Sequence, residues 1–305
     1  MSSVTSRLVE QVPIPRMFQV RQLFSADKID PATIPAQIRA YLMQEEYALK
    51  IQPGMNIAIT AGSRQIANVV AITRTIVDFV RERGAHPFVV AAMGSHGGAT
   101  KEGQREILTS LGITEESVGC PIKCSMEVVK IGLNEEGRDV FIGKDAAEAD
   151  GIIISCRIKP HTCFRGPFES GIMKMITIGL GKQAGAQICH EAGFGQIAKY
   201  IPMFGRAILK HTHILFAVAV LENAYDETAK IVVVPADKIE EQEPLLLNEA
   251  KALMPKIQVP SCDVLVCDVI GKNFSGSGMD PNITGTFATP YASGGLKSQR
   301  VAVLD

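Results

Sequence analysis

The sequence predicts an α/β protein: a mostly parallel sheet with helices on both faces, followed by a second, smaller α/β domain. Short apolar runs alternate with longer segments of helical periodicity, which is the pattern of βαβ units. Three of the runs, NIAIT at 56–60, PFVVAAM at 87–93 and GIIIS at 151–155, are apolar at every position between their ends. Strands covered on both faces have this composition, because neither face meets water.

The elements are bounded by glycine, proline and small polar residues, which end helices and form turns. Gly84 follows one long helical pattern, and Thr100 stands where a helix N-cap is expected. Apolar residues at helical spacing predict helices over Ala36–Leu49, Ile66–Arg83, Thr100–Leu111, Ala192–Leu209 and Pro244–Met254. The further predicted strands are Met17–Leu23, Val128–Ile131, Asp139–Ile142, Ile214–Val220, Lys230–Pro235, Asp263–Val269 and the closing VAVLD at 301–305.

The chain length of 305 residues fits two domains. Residues 257–260 have the composition of a linker, so we expect a first domain over 1–257 and a second over 258–305. The second begins with a strand and a long Gly/Asn/Ser loop, GKNFSGSGMDPNITG, and closes on an apolar strand. Because such a strand needs neighbours to cover it, we expect this second domain to be incomplete.

Composition narrows the function classes. The net charge of −1 and the low aromatic content of 6%, without tryptophan, argue against nucleic acid or an anionic membrane as partner. The apolar runs are too short to cross a bilayer. Seven cysteines, an odd number, together with a polar N-terminal stretch indicate reduced thiols and a cytoplasmic location.

Three ionisable side chains follow the ends of predicted parallel strands. Arg64, His96 and His161 each come a few residues after one of the apolar runs. The carboxyl ends of parallel strands share one edge of a sheet, and ligands bind there in open α/β folds. We therefore expect these three residues to converge, although polar residues in loops are common enough for the pattern to arise by chance.

The loop GSHGGAT at 94–100 precedes a predicted helix. Its backbone N–H groups, at Ser95, Gly97 and Gly98 above all, are candidates for an anion cradle at a helix N-terminus. The motif fits neither of the common phosphate-loop patterns, so a tight turn that exposes His96 is the alternative. Arg64 is a candidate carboxylate or phosphate clamp, and a surface arginine paired with an acid is its alternative.

The segment 157–190 carries His161, Lys174 and His190 among many glycines. Histidine is the commonest metal ligand and proton shuttle, and a lysine amine can be acylated or form an imine. Lys174 stands in the apolar stretch SGIMKM, where a bare ammonium is costly. A structural role suits each residue taken singly, but the three together predict a loop that holds a metal or a covalent cofactor.

At these residues the chain resembles the nickel-pincer lactate racemase family, from the strand before Arg64 to the loop after residue 268. Lys174 and His190, sixteen residues apart, match the family's cofactor lysine and nickel-ligating histidine at the family spacing. The resemblance implies that Lys174 carries a nickel-pincer nucleotide, pyridinium-3,5-bisthiocarboxylic acid mononucleotide, as a covalent thioamide. It also implies that His190 supplies a nickel ligand.

The resemblance also implies roles for the other candidates. His96 and His161 match the two histidines that exchange the proton of the substrate hydroxyl, while the hydride of Cα moves reversibly to the cofactor. Arg64 matches the arginine that holds the substrate carboxylate. Lys272 is the nearest candidate for a substrate-binding lysine of the second domain, and the 94–100 loop would contribute to binding the cofactor phosphate.

Two departures from the family pattern bear on the substrate. Ala61, Gly62 and Ser63 stand where the family commonly has Asp and Thr ahead of the arginine, and the segment between His161 and Lys174 is a few residues longer than in lactate racemase. These differences imply a divergent racemase or epimerase of a 2-hydroxyacid whose side chain differs from that of lactate.

The expected partners are a small 2-hydroxyacid and the enzymes that synthesise the cofactor, and a homo-oligomer is compatible with the sequence. Two other functions stay open. One is an epimerase or hydrolase in which His96, His161 and His190 bind zinc directly. The other is a non-catalytic α/β protein that binds a carboxylate or phosphate through Arg64 and the 94–100 loop.

Overall fold

The centre of the protein is a six-stranded sheet with the strand order β3-β2-β1-β6-β7-β8. The structure is a computed structural model and describes residues 4–10, 12–13 and 16–304. All neighbouring strands in this sheet are parallel except β7 and β8, which run antiparallel. Helices cover both faces, so the predicted α/β class is confirmed.

The strands are β1 Asn56–Ala61, β2 His86–Ala91, β3 Ile122–Lys123, β4 Val128–Leu133, β5 Asp139–Gly143, β6 Gly151–Arg157, β7 Ile214–Glu222, β8 Thr228–Pro235, β9 Ser261–Cys267 and β10 Lys297–Val303. The helices are α1 Val4–Val9, α2 Ile34–Leu42, α3 Glu45–Ala48, α4 Val69–Glu82, α5 Lys101–Ser110, α6 Glu115–Val118, α7 Lys144–Ala147, α8 Ile172–Lys174, α9 Lys182–Glu191, α10 Phe194–His211, α11 Ile239–Leu253 and α12 Pro281–Thr284. A π-helical turn, Met175–Gly179, follows α8, and short 3₁₀ turns occupy Pro31–Thr33, Gly97–Ala99 and Ala236–Lys238.

Two apolar cores lie on opposite faces of the sheet. Along β1, Ile57 and Ile59 face one core and Ala58 faces the other, and all three are fully buried. Helices α2 and α4 close the first core, while α8 to α11 close the second. Burial of one large aliphatic side chain contributes roughly 1.5–3 kcal/mol, so the central strands form a rigid base for whatever follows their ends.

Helix α4 shows how local sequence sets an element boundary. Ile72, Ile76 and Phe79 recur at helical spacing and are buried. The helix begins at Val69, three residues later than predicted, because Asn68 adopts a left-handed conformation with φ of 61°. The loop before it, which carries Arg64, is thereby kept out of the helix.

Two predictions near the N-terminus need correction. The strand predicted at Met17–Leu23 is wrong: that segment is not assigned to a strand, and Met17 and Phe18 are 87% and 83% exposed. The segment has an apolar pattern, but it pairs with none of the described strands. The helix predicted over Ala36–Leu49 is two helices, α2 and α3, with a break at Met43–Gln44.

The prediction of a loop around Lys174 and His190 is also wrong. From Ile172 to Glu191 the chain is almost entirely helical, comprising α8, the π-helical turn and α9. Its glycines permit close packing rather than loop formation. A Cβ on Gly179 would lie 2.7 Å from the Ala92 carbonyl oxygen, so the helical segment packs directly against the end of β2.

Strands β9 and β10 form a separate, two-stranded parallel sheet. The residues between them return to the main sheet, where Lys159 pairs with Asp280 at 2.8 Å and Arg165 donates to the Asn282 side chain at 2.6 Å. The boundary at residue 257/258 stays a prediction. Among the described residues, no helix has the length and hydropathy needed to traverse a membrane.

Candidate active site at the carboxyl edge of the sheet

The predicted convergence at one sheet edge is confirmed. Arg64 follows β1, His96 follows β2 and His161 follows β6. These three strands are adjacent and parallel in the order β2-β1-β6, so their carboxyl ends open onto the same edge. The helical segment with Lys174 packs against that edge.

Lys174 is the electrostatic centre of the site. Its charge lowers the pKa of His96, His161 and His190, so the amine lies within electrostatic reach of all three imidazoles. Burial, followed by the nearby charge of Arg64, lowers the pKa of Lys174 itself to about 8. About a tenth of the amine is therefore unprotonated at pH 7, far more than in an ordinary lysine, and the unprotonated amine is the form that reacts with acyl groups.

His161 is held from two sides. Its backbone N–H donates to Glu169 at 2.7 Å, and its Nδ1 accepts the Cys163 N–H at 3.1 Å. The ring packs on Phe164 with 4.3 Å between centroids. Burial, and next the charge of Lys174, lower the pKa of His161 to about 2. The ring is therefore neutral, and since Nδ1 accepts a hydrogen bond, its proton is on Nε2.

Glu169 anchors the His161 loop and was missed by the sequence reasoning. Its side chain is completely buried and pairs with Lys251 of α11 at 2.7 Å and with Arg165 at 3.3 Å. Arg165 also donates to the Ser293 carbonyl at 2.9 Å, which ties the loop to the chain beyond residue 258. A single acidic residue in a Gly-rich stretch gives no sequence signal that three donors will converge on it.

His96 is exposed at the opening of the site and has a lighter anchor. Its Nδ1 shares a hydrogen bond with the Ser63 hydroxyl. Partial desolvation, followed by the charges of Arg64, Lys174 and Lys272, lowers its pKa. Lys272, from the loop after β9, therefore belongs to the same electrostatic cluster. Ser63 is one of the residues at which the chain departs from the family pattern, and its hydrogen bond to His96 gives it a structural role.

The 94–100 loop has an unusual backbone. Gly97, Gly98 and Ala99 have φ of 68°, 65° and 54° in succession. A Cβ on Gly97 would lie 2.5 Å from the Gly103 carbonyl carbon, whereas nothing stands within 4 Å of one on Gly98. The loop is thus tight beneath Gly97 and open at Gly98 and the exposed Ser95, as an anion cradle requires. The predicted N-cap at the following helix is confirmed by a hydrogen bond from Gly103 to the Thr100 hydroxyl.

A buried polar pair supports this loop from below. The Gln104 amide donates to the carbonyls of Gly94 and His96 at 3.0 and 3.3 Å. Lys182, at the start of α9, donates to the Gln104 side chain at 3.3 Å and to the Ala91 carbonyl at 2.6 Å. The His96 loop is therefore linked to the helical segment that carries Lys174, a connection that sequence reasoning missed.

His190 lies in the last turn of α9 and is exposed. Desolvation and the charge of Lys174 lower its pKa, and a hydrogen bond to the Ala186 backbone offsets part of that shift. A neutral imidazole with one nitrogen fixed by a backbone carbonyl is the usual form of a metal-ligating histidine. No group of three or more His, Cys, Asp or Glu in the described part of the chain has metal-binding geometry.

Arg64 completes the cluster. Its side chain is exposed and makes no ion pair with another described residue. A Cβ on Gly276 would lie 3.0 Å from the guanidinium, so the glycine lets the loop after β9 close over Arg64. A planar, unpaired guanidinium at the edge of a cleft is suited to bidentate binding of a carboxylate.

Residues 16–199, well over half of the chain, match the family model of the lactate racemase N-terminal domain. The chain belongs to the lactate racemase family. No curated protein matches its sequence.

Two solved structures share the fold. One is the lactate racemase apoprotein from Thermoanaerobacterium thermosaccharolyticum, with a TM-score of 0.58 and 17% identity over 79% of this chain and 59% of that one. The other is a protein from Thermotoga maritima, with a TM-score of 0.58 and 13% identity over 83% of this chain and 66% of that one. The identities show a divergent member of the family, and the chain spans about three-fifths of the length of the racemase apoprotein it matches.

Proposed function

We propose that the protein is a racemase or epimerase of a 2-hydroxyacid that uses a nickel-pincer nucleotide attached to Lys174. The observation that carries the proposal is the environment of the Lys174 amine. Burial and a neighbouring arginine lower its pKa to about 8, and it lies within reach of three imidazoles. An enclosed, partly neutral amine is suited to covalent attachment of a cofactor.

The residues present fit this cofactor better than they fit directly bound zinc. A nickel-pincer nucleotide would require one nickel ligand from the protein, and His190 would supply it as a neutral imidazole oriented by the Ala186 backbone. Catalytic zinc needs three protein ligands. The described residues contain no such group, and this favours the pincer over the zinc alternative.

Each remaining residue has a chemical role in this proposal. Arg64 binds the substrate carboxylate and fixes the orientation of Cα. His96 and His161 lie on loops after different strands, so that each can serve one enantiomer. His96 exchanges the hydroxyl proton, and His161, whose Nδ1 is occupied by the Cys163 N–H, donates its Nε2–H to the substrate oxygen. The Ser95–Gly98 loop binds the cofactor phosphate. Lys272 contacts the substrate from the far side of the cleft.

The chemistry that the cofactor supplies when bound is reversible acceptance of the hydride from substrate Cα. The protein binds and orients the substrate, moves the hydroxyl proton and excludes water. Closure of the chain beyond residue 258 over the edge would protect the planar ketoacid from solvent, and the contacts of Arg165 and Lys159 with that part of the chain support this.

The partners in this proposal are the 2-hydroxyacid and the enzymes that build the cofactor, in the cytoplasm. Because the residues before Arg64 depart from the family pattern and Ser63 bonds to His96, we expect a substrate side chain other than the methyl group of lactate.

The test is the loss of optical rotation from a panel of single-enantiomer 2-hydroxyacids, with protein co-produced with the cofactor-synthesis enzymes. We expect at least one acid to racemise and His190→Ala to lose both nickel and activity. His86→Ala is the matched control, because His86 begins β2 at the opposite edge of the sheet. Full nickel retention in His190→Ala, measured by metal analysis, would contradict the assignment.

A further inference from the structure

A buried carboxylate from α11 reaches the turn that carries Lys174. Glu243 is 1% exposed, and its Oε2 accepts the Met173 N–H at 2.8 Å. The Ile172 N–H donates to the same side chain. These are the first two residues of α8, and Lys174 is the third. The carboxylate therefore binds the free N–H groups at the start of the turn.

Gly171 makes this approach sterically feasible. Its φ of −174° is extended backbone that any residue adopts, so the glycine is not there for its conformation. A Cβ at this position would lie 2.2 Å from Oε1 of Glu243 and 3.1 Å from its Cδ. Any larger residue at 171 would displace the carboxylate from the turn.

Stability does not explain the choice of glutamate. No described basic side chain forms an ion pair with Glu243, and its charge helps to raise the pKa of the buried Cys156 thiol. Burial raises the pKa of Glu243 to about 8, so its carboxyl group is largely protonated near neutral pH, while its carbonyl oxygen can still accept a backbone N–H bond. A buried acid without a cation is costly, and apolar residues of similar volume usually fit such positions at lower cost.

We propose that Glu243 is a positioning residue for Lys174: by holding the N–H groups of Ile172 and Met173 it fixes the turn, and so sets where the Lys174 amine stands. The inference rests on the proposed function, in which Lys174 carries the cofactor, but the position of the amine can be measured without cofactor. Glu243 also lies beyond the 16–199 match, so a later part of the chain supplies an anchor to the family domain.

The experiment measures the reactivity of the Lys174 amine in the full-length apoprotein. Acetic anhydride is applied at a series of pH values, and acetylation of the Lys174 peptide is compared by mass spectrometry with that of the exposed Lys101 in the same sample. In the wild type we expect half-maximal reactivity near pH 8, in line with the lowered pKa of the amine.

Glu243→Ala and Gly171→Ala should each move this midpoint upward by about one pH unit or more, toward that of an ordinary lysine. Glu243→Ala removes the carboxyl group and Gly171→Ala displaces it. Equal shifts in the two variants would indicate that the position of the group, and not its charge, sets the reactivity of Lys174. Glu243→Gln keeps an acceptor oxygen, so its midpoint should lie closer to that of the wild type than to that of Glu243→Ala. Glu241→Gln, exposed on the same helix, is the matched control and should leave the midpoint unchanged.

Unchanged midpoints in Glu243→Ala and Gly171→Ala, with melting curves that show folded protein, would overturn the inference. If Glu243→Ala does not fold, Gly171→Ala and Glu243→Gln decide the question. A wild-type midpoint near 8 without racemase activity would leave the positioning role intact and count against the proposed function alone.

Discussion

The two candidate acid–base histidines stand in different surroundings, although they share one edge of the sheet. His161 is partly buried, its backbone is held by the buried Glu169, and its ring nitrogen is occupied by a backbone N–H. His96 is exposed, and a serine hydroxyl and the Gln104 amide hold it. The pKa of both rings is lowered, but only that of His161 falls as far as about 2.

This difference separates the parts proposed for the two histidines. One imidazole is fixed by interactions buried in the fold and the other by contacts at the surface. We infer that His161 stays neutral at all physiological pH values and that His96 is the group whose protonation limits activity in acid.

The largest effect should come from removing the buried anchor of His161. Glu169→Ala leaves the His161 N–H without its acceptor and Lys251 and Arg165 without their carboxylate. The carboxylate is buried but both cations are partly exposed, so losing these charge-assisted hydrogen bonds should cost about 1.5–3 kcal/mol and lower the unfolding midpoint in urea. Glu136→Ala, which removes solvent-exposed ion pairs with Lys199 and Arg138, is the control and should cost at most about 1 kcal/mol. Equal, small losses in the two variants would contradict the anchoring role.

A smaller effect is expected at the surface anchor of His96. Ser63→Ala removes one hydrogen bond, worth roughly 0.5–1.5 kcal/mol, so kcat/KM should fall about tenfold or less and the free energy of unfolding should fall by no more than about 1.5 kcal/mol. Because the active form of His96 is unprotonated and its pKa is lowered, the rate should decline only below about pH 6.5. An acid limb at or above pH 7 in the wild-type pH–rate profile would contradict this assignment.

The sequence predicted the sheet and its site-bearing edge well, because both depend on local patterns. Apolar runs such as 56–60 identify covered strands, and parallel strands bring the residues after them to one edge. The helical segment around Lys174 was predicted as a loop because its glycines were interpreted as breakers. Gly179 instead permits contact with the carbonyl of Ala92, which no local pattern reveals.

The supporting residues were not predictable for a similar reason. Glu169 meets Lys251, and Lys182 meets Gln104, across 82 and 78 residues of chain. Such contacts exist only once the fold has formed, and a single glutamate or lysine looks like any surface charge in a sequence. Ser63 is the exception, since its departure from the family pattern marked the position before its partner was known.

The most direct test of the account is the mass of the Lys174 peptide in protein co-produced with the cofactor-synthesis enzymes. We expect the mass of the pincer nucleotide on Lys174 and not on Lys182, whose amine is also partly neutral but is buried against the Ala91 carbonyl. An unmodified Lys174 in that sample, or a nucleotide attached to another lysine, would contradict the central claim.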